Sequence, residues 1–64
     1  MKLNDLAKVL ITTKPIVVTS FSVFGLYHET SRVELLSKLE FEELLKREVD
    51  YFVPRDDRVV IYVK

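Results

Sequence analysis

The chain reads as a small single-domain α+β protein, with elements in the order α-β-β-α-β-β and an antiparallel sheet. Three observations predict this. Apolar residues near the start recur at helical spacing, a capping signature at Ser37 opens a charged amphipathic run, and stretches rich in Val, Ile and aromatic residues lie between polar turn clusters.

The first element is a short amphipathic helix over residues 3–11. Leu3, Leu6, Ala7 and Leu10 fall at i, i+3, i+4 and i+7, while Lys2, Asn4, Asp5 and Lys8 take the other side. A helix this short is marginal alone and must dock on something. Thr12-Thr13-Lys14-Pro15 ends it, because Pro15 pushes the preceding residue out of helical backbone space.

Pro15 to Tyr27 carries no charge and has strand composition, rich in Val, Ile, Phe, Thr and Ser. Strand parity puts Val17, Thr19, Phe21, Val23 and Tyr27 on one face, and Ile16, Val18, Ser20, Ser22, Phe24 and Leu26 on the other. Both faces are partly apolar, which predicts a strand covered on both sides over at least part of its length. Gly25 marks a bulge, a bend or a hairpin turn. A hairpin can turn there or at residues 28–31. The second site is the longer polar cluster and is preferred, which leaves Val33 to Leu36 as a short pairing strand or the approach to the next helix.

Ser37-Lys38-Leu39-Glu40 fits a capping box, in which the Ser hydroxyl accepts from the backbone three residues on and the Glu reaches back. Glu40, Glu42 and Glu43 then lie early in the expected helix and Lys46 and Arg47 late, matching the helix dipole. Glu42–Lys46 and Glu43–Arg47 are also i, i+4 pairs, and Phe41, Leu44 and Leu45 form the buried stripe. Val49 to Val53 is a strand. Pro54-Arg55-Asp56-Asp57-Arg58 is a turn with Asx-type chemistry, and Val59 to Val63 closes the sheet. In that last strand Val59, Ile61 and Val63 face one way, and Val60 and Tyr62 the other.

Sixty-four residues make one small domain, which buries only about 60% of the surface its unfolded chain exposes. The chain has no Cys and one His. That removes disulfides, thiolate sites and multi-histidine zinc sites, leaving dense packing or self-association as the source of extra stability. Ten basic residues balance ten acidic ones, so broad electrostatic binding to nucleic acid is not expected. Residues 1–33 hold four basic and two acidic groups, and residues 34–64 six basic and eight acidic. Neither half is polarised enough to name a partner. The charged opening is unlike a secretory leader, and the apolar runs fall far short of a membrane span. A soluble protein of the cytoplasm is the expectation.

No catalytic, cofactor or metal site is expected. His28 and Glu29 are adjacent, and neighbours in a strand point to opposite faces, so they would not converge on one proton. Ser20, Ser22 and Ser31 have no base near them in sequence and no nucleophile elbow. Asp56-Asp57 suits a turn better than a cation, which draws several oxygen ligands. A single Gly leaves no phosphate-binding loop. Phe21, Phe24, Tyr27, Tyr51, Phe52 and Tyr62 could stack on bases, but the chain lacks the basic groove that single-strand binders use.

The uncovered side of the expected sheet does point to function. Two helices of nine to eleven residues are about 14–17 Å long and cover one face of a four-stranded sheet. Phe24, Leu26, Phe52, Val60 and Tyr62 are expected on the second face, which would then pack on a copy of the chain or on a target.

Residues 44–63, Leu-Leu-Lys-Arg-Glu-Val-Asp-Tyr-Phe-Val-Pro-Arg-Asp-Asp-Arg-Val-Val-Ile-Tyr-Val, resemble the ending of short α/β accessory proteins from phages and prophages of Gram-positive bacteria. Those proteins also open with an amphipathic helix like Lys2–Leu10 followed by a strand hairpin. The resemblance implies a phage accessory protein in the host cytoplasm that binds a host or phage protein, including components of CRISPR and other defence systems. It transfers no activity to particular residues. The expected function is therefore non-enzymatic protein binding, with homodimerisation. Phe21, Phe24 and Tyr27 are the contact candidates, and a small dimeric nucleic-acid-binding or regulatory protein is the alternative.

Overall fold

The computed structural model describes residues 1–64. Its elements are α1 (Leu3–Val9), β1 (Ile16–Thr19), β2 (Tyr27–Thr30), α2 (Arg32–Ser37), a 3-10 turn (Leu39–Phe41), α3 (Glu42–Leu45), β3 (Val49–Pro54) and β4 (Val59–Val63). The α+β class and the order α-β-β-α-β-β are as the sequence predicts, with the second helix broken into segments.

The four strands form one sheet in the order β2-β1-β4-β3. Each outer pair is an antiparallel hairpin, but the inner pair β1–β4 is parallel, so the sheet is mixed rather than antiparallel. The physical reason lies in burial. Ile16-Val17-Val18 and Val59-Val60-Ile61 are unbroken apolar runs, and all six residues are buried. Strands buried on both faces belong at the centre of a sheet. Placing both there joins the two hairpins through their inner strands, with α2 to α3 as the crossover that a parallel pairing requires.

The first hairpin turns early. The strand expected from Pro15 to Tyr27 ends at Thr19, where Ser20 Oγ accepts from the backbone N–H groups of Ser22 and Val23 at 3.0 and 3.1 Å. That side-chain turn competes with strand pairing. Gly25 then takes φ +82°, a conformation glycine adopts at no steric cost. Thr19 Oγ closes the loop by donating to the Leu26 carbonyl at 2.9 Å. Residues 28–31 are therefore not the hairpin turn. Tyr27 to Thr30 pairs with β1, and Val33 to Leu36 lies in α2 instead of a strand.

The cap also moves. Ser31, not Ser37, begins the helical region, accepting from Glu34 N–H at 3.2 Å. Ser37 Oγ instead donates to the Val33 carbonyl at 2.7 Å, as a residue near a helix end can. At Lys38 the backbone is extended, with φ −79° and ψ 133°, and this splits the expected helix. Phase explains the break. In one continuous helix, at about 100° per residue, Phe41 would lie about 120° and Leu44 about 180° from Leu35. The interruption lets all three reach the same core. The expected i, i+4 ion pairs give way accordingly. Lys46 meets Glu43 at 3.5 Å, and Arg47 donates to the Lys64 carbonyl at 2.8 Å.

That core lies on one side of the sheet. Leu3, Leu6, Ala7, Leu35, Phe41 and Leu44 from the helices pack on Ile16, Val18, Val59, Ile61 and Val63. Arg32 ties the helical layer together, donating to the carbonyls of Ala7 and Lys8 at the end of α1 at 3.1 and 3.0 Å. The chain ends are knitted to the start of β3 and the residue before it, by Val49 N–H to the Met1 carbonyl at 2.8 Å and by Lys64 N–H to the Glu48 carbonyl at 2.9 Å.

Candidate functional site

Because β-strand side chains alternate, the pairing register states what the other side of the sheet carries. Thr19 is opposite Tyr27 on one side and Tyr62 on the other, and Tyr62 is opposite Tyr51. These four form one row. Two residues along, Glu29, Val17, Val60 and Val53 form a second row. No helical residue of the core cluster packs on this side.

The first row is a ridge of rings. Tyr62 stacks on Tyr51 with centroids 4.7 Å apart, and on Phe21 at 4.5 Å with the planes 13° from parallel. Phe21 reaches the group from the loop after β1 and is also 6.2 Å from Tyr51. The central strand anchors Tyr62, which is only part-exposed, while Phe21, Tyr27 and Tyr51 are 72%, 57% and 47% exposed. Offset stacking of this kind stabilises the cluster by about 0.5–1.5 kcal/mol per pair beyond burial. The environment raises the Tyr51 phenol above its ordinary pKa, first through loss of solvation and then through the neighbouring Tyr62 and Asp50.

The second row is a trough. Val17 and Val60 are buried between their taller neighbours, and Val53 is part-exposed. Its rim is polar. Arg58, next but one to Val60 on β4, holds Asp57 at 3.1 Å and lies in the field of Glu29. The Arg58 hydrogen bond is the main cause holding the Asp57 carboxyl below its ordinary pKa.

Of the residues singled out from the sequence, Phe21 and Tyr27 lie on this face. Phe24 sits fully exposed in the loop between β1 and β2, outside the sheet. Three placements expected on the second face are corrected, Phe24 among them. Leu26 packs against the core, and Phe52 pairs with Ile61 on the helical side, where β3 is an edge strand that the helices leave 44% exposed. Tyr51 and Tyr62 complete the cluster. The parity of the closing strand already set Val60 and Tyr62 apart from Val59, Ile61 and Val63, and that was the signal for Tyr62. Tyr51 had no such signal, because a register shift between Val49 and Tyr51 sets its facing.

The groups that could carry acid–base chemistry do not converge. His28 and Glu29 fall on opposite faces of β2, with the imidazole edge-on to Phe41 at 5.6 Å. The one concave pocket is lined by Lys2, Asn4, Glu42, Leu45 and Lys46 on the helical side and brings no nucleophile to a base. No helix is long and apolar enough to cross a membrane. Comparisons with protein-family models, curated proteins and solved structures found no match to this chain.

Proposed function

We propose that this chain is a non-enzymatic protein-binding domain whose docking surface is the helix-free face of the sheet. One observation carries the reading: every helix packs on one side, and the opposite side presents Phe21, Tyr27, Tyr51 and Tyr62 around a floor of valines. At roughly 200 Å² for a fully accessible aromatic side chain, the three exposed rings alone offer about 350 Å² of mostly apolar surface. The largest apolar patch on a soluble monomer is of about that size and is often functional. Aromatic anchors within a polar rim are also the composition of protein–protein hot spots.

The kind of partner follows from the resemblance of residues 44–63 to phage and prophage accessory proteins. On that basis the chain works in a bacterial host's cytoplasm by binding a host or phage protein. Its sharpest form is inhibition of a defence effector such as a CRISPR component. Base stacking on the same rings is the competing use, and the rim of Glu29, Asp57 and Arg58, two carboxylates to one guanidinium, disfavours it.

Affinity capture from lysate of a Gram-positive host tests the proposal, with wild type and Tyr51→Asp as baits. A protein retained by wild type and lost by the variant is the expected result. Equal retention by both baits, or salt-sensitive retention on DNA or RNA instead of protein, would overturn it.

A further inference from the structure

We infer that the occupant of this face is first a second copy of the chain, docked about a two-fold axis so that the aromatic ridge of each copy fills the valine trough of the other. The inference rests on the docking reading above and adds the identity and geometry of the partner.

Shape is the first argument. A two-fold interface must be self-complementary, with residue i on j and j on i. Here the ridge Tyr27–Thr19–Tyr62–Tyr51 runs beside the trough Glu29–Val17–Val60–Val53, one row over on the same four strands. The rows are about 6.6 Å apart along the strands. An axis in the interface, perpendicular to the strands and midway between the rows, exchanges ridge and trough. It lays Tyr62 over Val60 of the second copy and Tyr51 over Val53 of the second copy, and the same contacts again in reverse. The product is two sheets packed face to face at the usual spacing of about 10 Å.

Area agrees with that geometry. The exposed rings supply nearly half of the ~800 Å² that each partner gives a standard interface. Part-exposed Thr19, Val53, Arg58 and Tyr62 surround them. The chain carries no net charge, so copies do not repel one another. The one carboxylate in the trough, Glu29, lies in the field of Arg58 within the same chain. A 64-residue domain with fourteen buried residues also gains most from a shared second core.

Sedimentation equilibrium over micromolar to millimolar concentration tests the inference, with circular dichroism of every variant as the check on folding. Wild type is expected at twice the chain mass of 7.5 kDa. Phe21→Asp, Tyr51→Asp and Val53→Lys are each expected at the single-chain mass. Combining Tyr51→Asp with Val53→Lys in one chain should restore the dimer, because the two-fold brings the new charges together across the interface. A dimer that survives the single substitutions, or is not restored by the pair, overturns the ridge-in-trough arrangement. Wild type at the single-chain mass throughout overturns the second copy as occupant. Capture of a host protein by wild type but not by Tyr51→Asp would then leave the docking reading standing, and no capture would remove both.

Discussion

Two serines decide where the middle of this chain becomes helical. Ser31 and Ser37 each open an S-x-x-E pattern, with Glu34 and Glu40 three residues on. Only Ser31 accepts from the helix backbone; Ser37 donates back to the preceding turn. Replacing Ser31 with Ala should lower unfolding free energy by about 1 kcal/mol, and the same change at Ser37 by a few tenths at most. Denaturant midpoints of the two variants check this directly. The Tyr51 phenol makes a second prediction at this scale. The fold holds it protonated above its ordinary range, chiefly through loss of solvation. Its contribution to stability is therefore full below the ordinary phenol pKa and is lost as pH rises through the raised value. Phenolate absorbance should show Tyr51 ionising late, and Phe21→Ser should make it ionise earlier. Unchanged titration in Phe21→Ser would mean that the stack does not shield Tyr51.

At the scale of elements, the helical layer is held by few contacts, and α1 depends on its neighbour. At seven residues it is too short to persist alone. Leu3, Leu6 and Ala7 dock on the core, while the Arg32 guanidinium caps its last carbonyls. Truncating Arg32 to Ala should fray α1 before the sheet. Hydrogen exchange is expected to accelerate at the amides of Ala7 to Leu10 with little change in β1 and β4. Global destabilisation should be about 1–2 kcal/mol, since the charged donor is only partly buried. The ion pairs on the same layer, Lys38–Glu34 at 2.9 Å and Lys46–Glu43 at 3.5 Å, are more than half exposed and contribute little to stability.

Across the whole molecule, the pattern of apolar residues was more informative than local propensity. Class, element order, the closing hairpin and the face assignment of Val59 to Val63 were legible because strand alternation and turn chemistry act over a few residues. The parallel β1–β4 pairing was not read, although its signal was present. Two strands apolar on both faces ask for central positions, and only adjacency of the two hairpins satisfies both. The misplaced turn and cap share one cause. Residues 28–31 and Ser37 have good local chemistry, but Ser20 with Gly25, and the phase demanded by Leu35, Phe41 and Leu44, decide the backbone there. The candidate site was half legible. Phe21 and Tyr27 could be reached from the charge-free segment, whereas Tyr51 joins them through a bulge that no local pattern announces.

The central claim is that the rings of the helix-free face meet another protein molecule, in the first instance a second copy. A dilution series followed by NMR tests it most directly, residue by residue and without substitution. On raising the concentration, the resonances of Phe21, Tyr27, Tyr51, Tyr62 and the methyls of Val17, Val53 and Val60 should move together along one binding curve. Those of Leu35, Phe41 and Leu44 in the helical core should stay still. Movement confined to the exposed apolar residues of the helical side, Val9, Ile11, Val33 and Leu39, or no movement at any concentration, would contradict it.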